Sequence, residues 1–227
     1  TYLGGVEAVR WFVFALIVWL GLNTLNRERL PWLAWGIFAG AAVASLWAVL
    51  QFLWSFALFP QGPNPASTFV NRNFFAEFAV CTLPFAWILL ARARHSAQVA
   101  LISAGAGLIV VALMMTGTRA ALISLWLQLF VVLPLIAWRC RAQLPWRGWS
   151  RGLRLLALAV LLGVVAVLGM IPSQNAKILE EERGRTGIER GILRTQSIRP
   201  DDESLGVRMI MWSATMALNG LIGAGVP

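Results

Sequence analysis

Two arginines stand where a membrane-type sequence would be expected to avoid charge. The stretch Ser67-Thr-Phe-Val-Asn-Arg-Asn-Phe-Phe-Ala-Glu77 places Asn71, Arg72, Asn73 and Glu77 between two long apolar runs, and Thr116-Gly-Thr-Arg119 opens another apolar run with a second arginine. A third, Arg208, follows a long polar segment. A guanidinium offers a planar fork of donors that matches a phosphate. A helix start adds unpaired N–H groups and the positive end of the helix dipole, so an arginine there makes an anion site. Thr116 and Thr118 supply hydroxyl donors, Gly117 permits a close backbone approach, and Asn71 and Asn73 can cap a helix and donate to a ligand. The expectation is that Arg72, Arg119 and Arg208 converge on one anion, supported by Asn71, Asn73, Glu77, Thr116 and Thr118. The ordinary alternative is that each arginine snorkels to lipid phosphates at the interface. Glu77, one turn into its apolar run, is an acid at membrane depth and therefore a functional candidate; its ordinary role would be to pair with Arg72 and the helix dipole.

The remaining reactive residues exclude more than they suggest. The single histidine, His95, lies beside Arg92 and Arg94 in a short loop and reads as a solvated residue. Of the two cysteines, Cys81 falls inside an apolar run and Cys140 at the end of another, so a disulfide is not expected, and no metal-ligand spacing is present.

The elements that must position the arginines are apolar helices. Of the 227 residues 59% are hydrophobic and 13% charged, mean hydropathy is +0.71, and 12 tryptophans suit interfacial belts. Soluble domains carry about a quarter charged residues, so the fold class is all-α, a polytopic transmembrane helix bundle of six or seven spans. With about 20 apolar residues needed per crossing, the spans fall at about 6–22, 31–59, 74–91, 97–115, 120–138 and 155–171. The transmembrane bundle thus covers 1–171, and an external polar loop covers 172–206. The region 207–227 begins a further helix, spanning or interfacial, after acidic residues at 201–203 that suit a helix start. Within the polar loop, Glu180, Glu181 and Glu182 stand at helical spacing from Arg183 and Arg185, so a surface helix is expected there, weakened by Gly184, Gly187 and Gly191.

The excess of 19 basic over 10 acidic residues would suggest nucleic acid in a soluble protein. Here the basic residues cluster in short loops between spans and read as topology instead. The loops at 23–30, 92–96 and 139–154 hold two, two and five arginines, and those containing Arg72 and Arg119 hold one each. The first set is expected to be cytoplasmic. Arg72, Arg119 and the polar loop, with seven basic and seven acidic residues between Pro172 and Arg208, are expected outside.

Thr68-Phe-Val-Asn-Arg-Asn-Phe-Phe-Ala76, Met115-Thr-Gly-Thr-Arg-Ala-Ala121, and Gly206-Val-Arg208 with Trp212 and Gly220-Leu-Ile-Gly-Ala-Gly225 come in this order over roughly 63–227. The series resembles the O-antigen ligase and polymerase superfamily, which includes pilin-type protein O-oligosaccharyltransferases. The resemblance implies a bacterial inner-membrane glycosyltransferase with its active face periplasmic. It implies that Arg72, Arg119 and Arg208 bind the diphosphate of a polyprenyl-diphosphate-linked glycan, with no metal and no cofactor. The family's catalytic histidine lies beyond the glycine-rich stretch at which this sequence stops, and His95 falls outside every family motif. The general base is therefore expected beyond Pro227. The chain begins at Thr1 and ends directly after an apolar stretch, and it reads as a piece of a longer protein.

The expected activity is transfer of a glycan from the lipid carrier to an acceptor. A lipid A-core acceptor is preferred, and a growing glycan or a pilin residue comes next. The expected partners are the glycan donor, a lipid or protein acceptor and membrane lipids, not nucleic acid. The alternative from another class is a small-anion transporter or channel in which Glu77, Gln51 and Gln128 line a polar path; such proteins often carry internal repeats and broken helices, and no repeat is visible.

Overall fold

The structure is a computed structural model that describes residues 2–56, 65–139, 148–181, 183–197 and 203–223. Among these residues the fold is all-α. Six helical segments are long and apolar enough to cross a membrane: Gly4–Thr24, Leu30–Trp54, Arg72–Arg92, Ser96–Thr116, Arg119–Arg139 and Arg151–Met170. The helices in chain order are α1 (Tyr2–Thr24), α2 (Leu30–Trp54), α3 (Arg72–Arg92), α4 (Ser96–Thr116), α5 (Arg119–Leu127), α6 (Leu133–Arg139), α7 (Arg151–Met170), α8 (Ala176–Leu179), α9 (Gly187–Gln196) and α10 (Glu203–Gly223). The chain is a multi-pass membrane protein.

Helix α4 is the axis of the bundle, packed by α2, α3, α7 and α9. Its buried residues run from Val99 to Thr116 and include Ile109, Val111, Leu113 and Met115. Lipid tails are as apolar as leucine, so burial alone does not drive helices together in a membrane, and close van der Waals packing decides. Gly107 provides it: a Cβ there would stand 2.8 Å from the Leu161 carbonyl oxygen of α7. Gly105 likewise receives the ring of Phe38 from α2. By contrast the described side chains of α1 are nearly all exposed, and so are those of α10.

Two interruptions in the spans have local causes. Pro84 inside α3 lacks the amide that would bond the carbonyl four residues back. Gln128 supplies the missing donor from the neighbouring span, its Nε2 lying 2.9 Å from the Val80 oxygen. Gln128 also opens a π-helical turn, Gln128–Val132, in which the Leu133 N–H reaches the Gln128 carbonyl. Pro134 follows at once, and its missing donor explains why the regular ladder is disturbed here. The expected second span is longer than the helix observed. Helix α2 stops at Trp54, where Ser55 takes a left-handed conformation (φ 55°) and returns its N–H to Gln51; residues 57–64 lie outside the description.

The segment after α7 is folded onto the bundle. Ser173 Oγ donates to the Phe52 carbonyl, the Gln174 N–H donates to that of Leu53 at 2.8 Å, and Asn175 Nδ2 adds a second donor to that of Gln51 at 2.8 Å, so this strap caps the last turn of α2. An isolated antiparallel bridge joins Pro172 to Thr186. Residues 180–185 do not form the expected surface helix. Glu182 lies outside the described residues; of the others, Glu180 and Glu181 are in a turn, Gly184 stands at φ 107°, open to glycine and strained for other residues, and the helix begins later, at Gly187. A capping box sets that start: Thr186 Oγ1 accepts from the Glu189 N–H at 3.1 Å, and Glu189 accepts from the Thr186 N–H.

Candidate anion site at one end of the bundle

The ends of α2, α4 and α7 and the starts of α3 and α5 lie at the same end of the bundle, and α9 packs there on α4, α7 and α5. The glycines expected to weaken this segment are the means of its docking. A Cβ on Gly187 would stand 2.9 Å from Met115, and one on Gly191 2.8 Å from Met114, so the glycine face of α9 sits directly on the last turn of α4. Arg190 and Arg194, also one turn apart, then reach toward the 116–119 turn. Gly117, at φ 62°, has the side chains of both arginines against it.

Glu181 ties this end together. Arg72 Nη1 donates to both of its carboxylate oxygens, at 2.7 and 2.8 Å. Arg190 Nη2 donates to Oε2, and Arg183 stands 3.6 Å from the same oxygen. The Arg190 side chain is 0% exposed, Arg72 16% and Glu181 22%. Arg194 Nε donates to the Gly117 carbonyl at 3.0 Å. Thr118 joins the two loops, its hydroxyl donating to Asn73 Oδ1 at 3.1 Å.

Five arginines feel one another here. Burial lowers the Arg194 pKa to about 10, assisted by the charges of Arg183, Arg119, Arg72 and Arg190. Burial likewise lowers that of Arg190, opposed by Glu181. At Glu181 burial pushes the carboxyl upward, but the hydrogen bond from Arg72 and the positive charges of Arg190 and Arg72 outweigh it and hold the group below its ordinary value.

The residues expected from the sequence divide as follows. Arg72 opens α3 and Arg119 opens α5, and both are half-buried at this end. Asn71 caps α3, accepting from the Asn73 N–H at 2.9 Å; Thr116 is buried and bonds the Leu113 carbonyl; Thr118 precedes α5. Glu77 is exposed on α3, and the carboxylate that Arg72 holds is Glu181 instead, so the expected Arg72–Glu77 pair is replaced. Arg208 stands in α10, with its side chain outside the described residues. His95 is exposed at the start of α4, the opposite end of the bundle. Cys81 is a free thiol exposed on α3, and Cys140 lies outside the described residues. Arg190, Arg194 and Glu181 were not singled out from the sequence. The Thr186–Glu189 capping box, with two glycines and two arginines each four apart behind it, was the readable signal for α9.

The three residues named for a polar path have separate surroundings. Gln51 is buried and spends its amide on the backbone of Ala66 and Ser67, Gln128 serves the proline gap in α3, and Glu77 faces outward.

Comparison with known proteins adds no relative: no family model matches the chain, and no curated protein or solved structure matches it.

Proposed function

We propose that this chain is part of a membrane glycosyltransferase that moves a glycan from a polyprenyl-diphosphate carrier to an acceptor at the arginine-bearing end of the bundle. The observation that carries the reading is the meeting of Arg72, Arg183 and Arg190 around the Glu181 carboxylate, with Arg119 and Arg194 near enough for their charges to bear on one another; Arg72 and Arg119 stand at helix starts. In this reading the arginines hold the diphosphate and neutralise the charge that grows on it as the sugar leaves. Their place at the rim of the apolar spans suits a donor whose tail stays in lipid. A lipid A-core acceptor is the preferred one, with a growing glycan or a pilin residue next. The arginine end faces the outside of a bacterial inner membrane, because the opposite end carries the loops richest in arginine. A transporter path is disfavoured by the separate structural duties of Gln51 and Gln128.

Two experiments test this reading. Mass spectrometry of lipid extracted from the purified protein should find a polyprenyl diphosphate; saturable anion uptake with no such lipid would support the transporter instead. An impermeant thiol reagent on intact cells should label a cysteine at Gln174 and spare one at Gly148. The reverse pattern would overturn the sidedness.

A further inference from the structure

Arg190 is fully buried, and two of its donors are unspent. Its Nη2 bonds Glu181, while Nε and Nη1 have no hydrogen-bond partner among the described residues. Buried polar groups are nearly always paired, and each exception calls for a reason such as an absent ion. The guanidinium is wedged between the Glu181 carboxylate and the Gly117 turn, where a Cβ would stand 3.1 Å from its Nε. Glu181 in turn spans Arg72 and Arg190, an acid from the strap holding one arginine from α3 and one from α9. Two oxygens on one carbon, shared between two guanidinium groups, have the shape and charge that one phosphate of a diphosphate would present.

We propose that Glu181 is an exchangeable counter-ion occupying a phosphate subsite formed by Arg72 and Arg190, and that a diphosphate ligand enters by displacing it. The proposal rests on the anion-site reading above and adds Arg190 as a binding residue and Glu181 as the group that competes with the ligand. A diphosphate carries more charge and more acceptor oxygens than a carboxylate, so it can use the spare Arg190 donors that Glu181 leaves idle. The exchange keeps Arg190 neutralised when the site is empty and disfavours singly charged anions, which gain too little to displace the acid. Glu181 lies in a turn at one end of a strap fixed by Ser173 and Asn175, so it can swing while its anchor stays.

The test uses the protein in nanodiscs of zwitterionic lipid, titrated with inorganic pyrophosphate, inorganic phosphate and farnesyl diphosphate. If the acid leaves both arginines open about a tenth of the time, its removal tightens apparent affinity by roughly tenfold. Glu181→Gln should therefore bind pyrophosphate roughly tenfold more tightly than the unaltered protein and gain affinity for phosphate, whereas Arg190→Gln should lose most pyrophosphate binding. Glu181→Asp, which keeps the charge but shortens its reach, should tighten binding by a smaller factor, and it serves if the glutamine variant does not fold. Equal gains for pyrophosphate and farnesyl diphosphate would mean that the head group alone is recognised; gains for the farnesyl compound alone would mean that the membrane-borne diphosphate is the ligand. Both support exchange. Binding that is lost in Arg119→Ala yet unchanged or weaker in the Glu181 variants would overturn the exchange and leave the anion site standing. Absence of binding in every protein, with either diphosphate, would overturn both.

Discussion

The two ends of the bundle are both basic, and they use the same residue in opposite ways. At one end Arg27, Arg29, Arg92, Arg94, Arg139, Arg151 and Arg154 are exposed, on loops and helix termini. At the other, Arg72, Arg119 and Arg194 are half-buried, Arg190 is fully buried, and Glu181 pairs with Arg72 and Arg190. Exposed charges in number orient a chain across a membrane, and each contributes little more. Buried charges cost desolvation energy unless something compensates them, and at that end Glu181 does so for Arg72 and Arg190. Counting arginines gives the expected topology; burial marks out the end at which the proposed site lies.

The contrast can be broken most severely at a glycine. Gly191→Leu drives a side chain into Met114, 2.8 Å from the position of its Cβ, and should lift α9 from α4 at a cost of about 1–3 kcal/mol. Gly148→Leu at the opposite end, with nothing within 4 Å, should be silent. Proteolysis of 187–196 and thermal melts of the two variants in detergent measure the difference. Equal behaviour would mean that α9 does not pack as described.

The effect of acid comes next in size. The folded Glu181 carboxyl titrates below its ordinary value, so the unfolded chain takes up the proton first. Its stabilisation is therefore complete above the ordinary carboxylate range and is lost as pH falls through the lowered folded value. Melting temperature followed from about pH 7 down to about pH 3 should decline less steeply in Glu181→Gln than in the unaltered protein. The groups facing Glu181 are Arg72, Arg183 and Arg190. Parallel curves would show that Glu181 contributes no stabilising charge.

A smaller effect sharpens the role of α9 alone. Thr186→Ala removes the cap and should cost about 1 kcal/mol, seen as faster amide exchange in 187–196 while exchange in α4 stays unchanged. A change spread over α4 would show that α9 is not a separate unit.

The bundle was legible in the sequence because hydropathy over twenty residues integrates many small terms, and all six spans are found where the apolar runs lie. Arg72 and Arg119 were legible as charges out of place at helix starts. Arg190 and Glu181 were not, because their meaning lies in contacts that local spacing does not encode: Arg72 and Glu181 meet across 109 residues. The run Glu180–Arg185 misled for a related reason. Its charges fit helical spacing, but the Glu181 carboxylate gains more from Arg72 and buried Arg190 than an exposed helix pair would supply, commonly a few tenths of a kcal/mol. Gly187 and Gly191 misled too. Propensity counts a glycine as a loss to its helix and is blind to the close contact with Met114 and Met115 that it permits.

The claim that the buried arginine end is the working end is tested most directly by glycan transfer in cells carrying the full-length protein with Arg119→Ala, Arg119→Lys or Arg94→Ala, at matched expression. Losing a charge-assisted phosphate contact costs ~2–4 kcal/mol in the transition state, so Arg119→Ala should slow transfer roughly thirtyfold to a thousandfold. Arg119→Lys should recover only part of this, because an ammonium keeps the charge but not the fork, and Arg94→Ala, exposed at the opposite end, should leave transfer near normal. Unaltered transfer in both Arg119 variants would contradict the account and return this arginine to ordinary anchoring at the membrane interface.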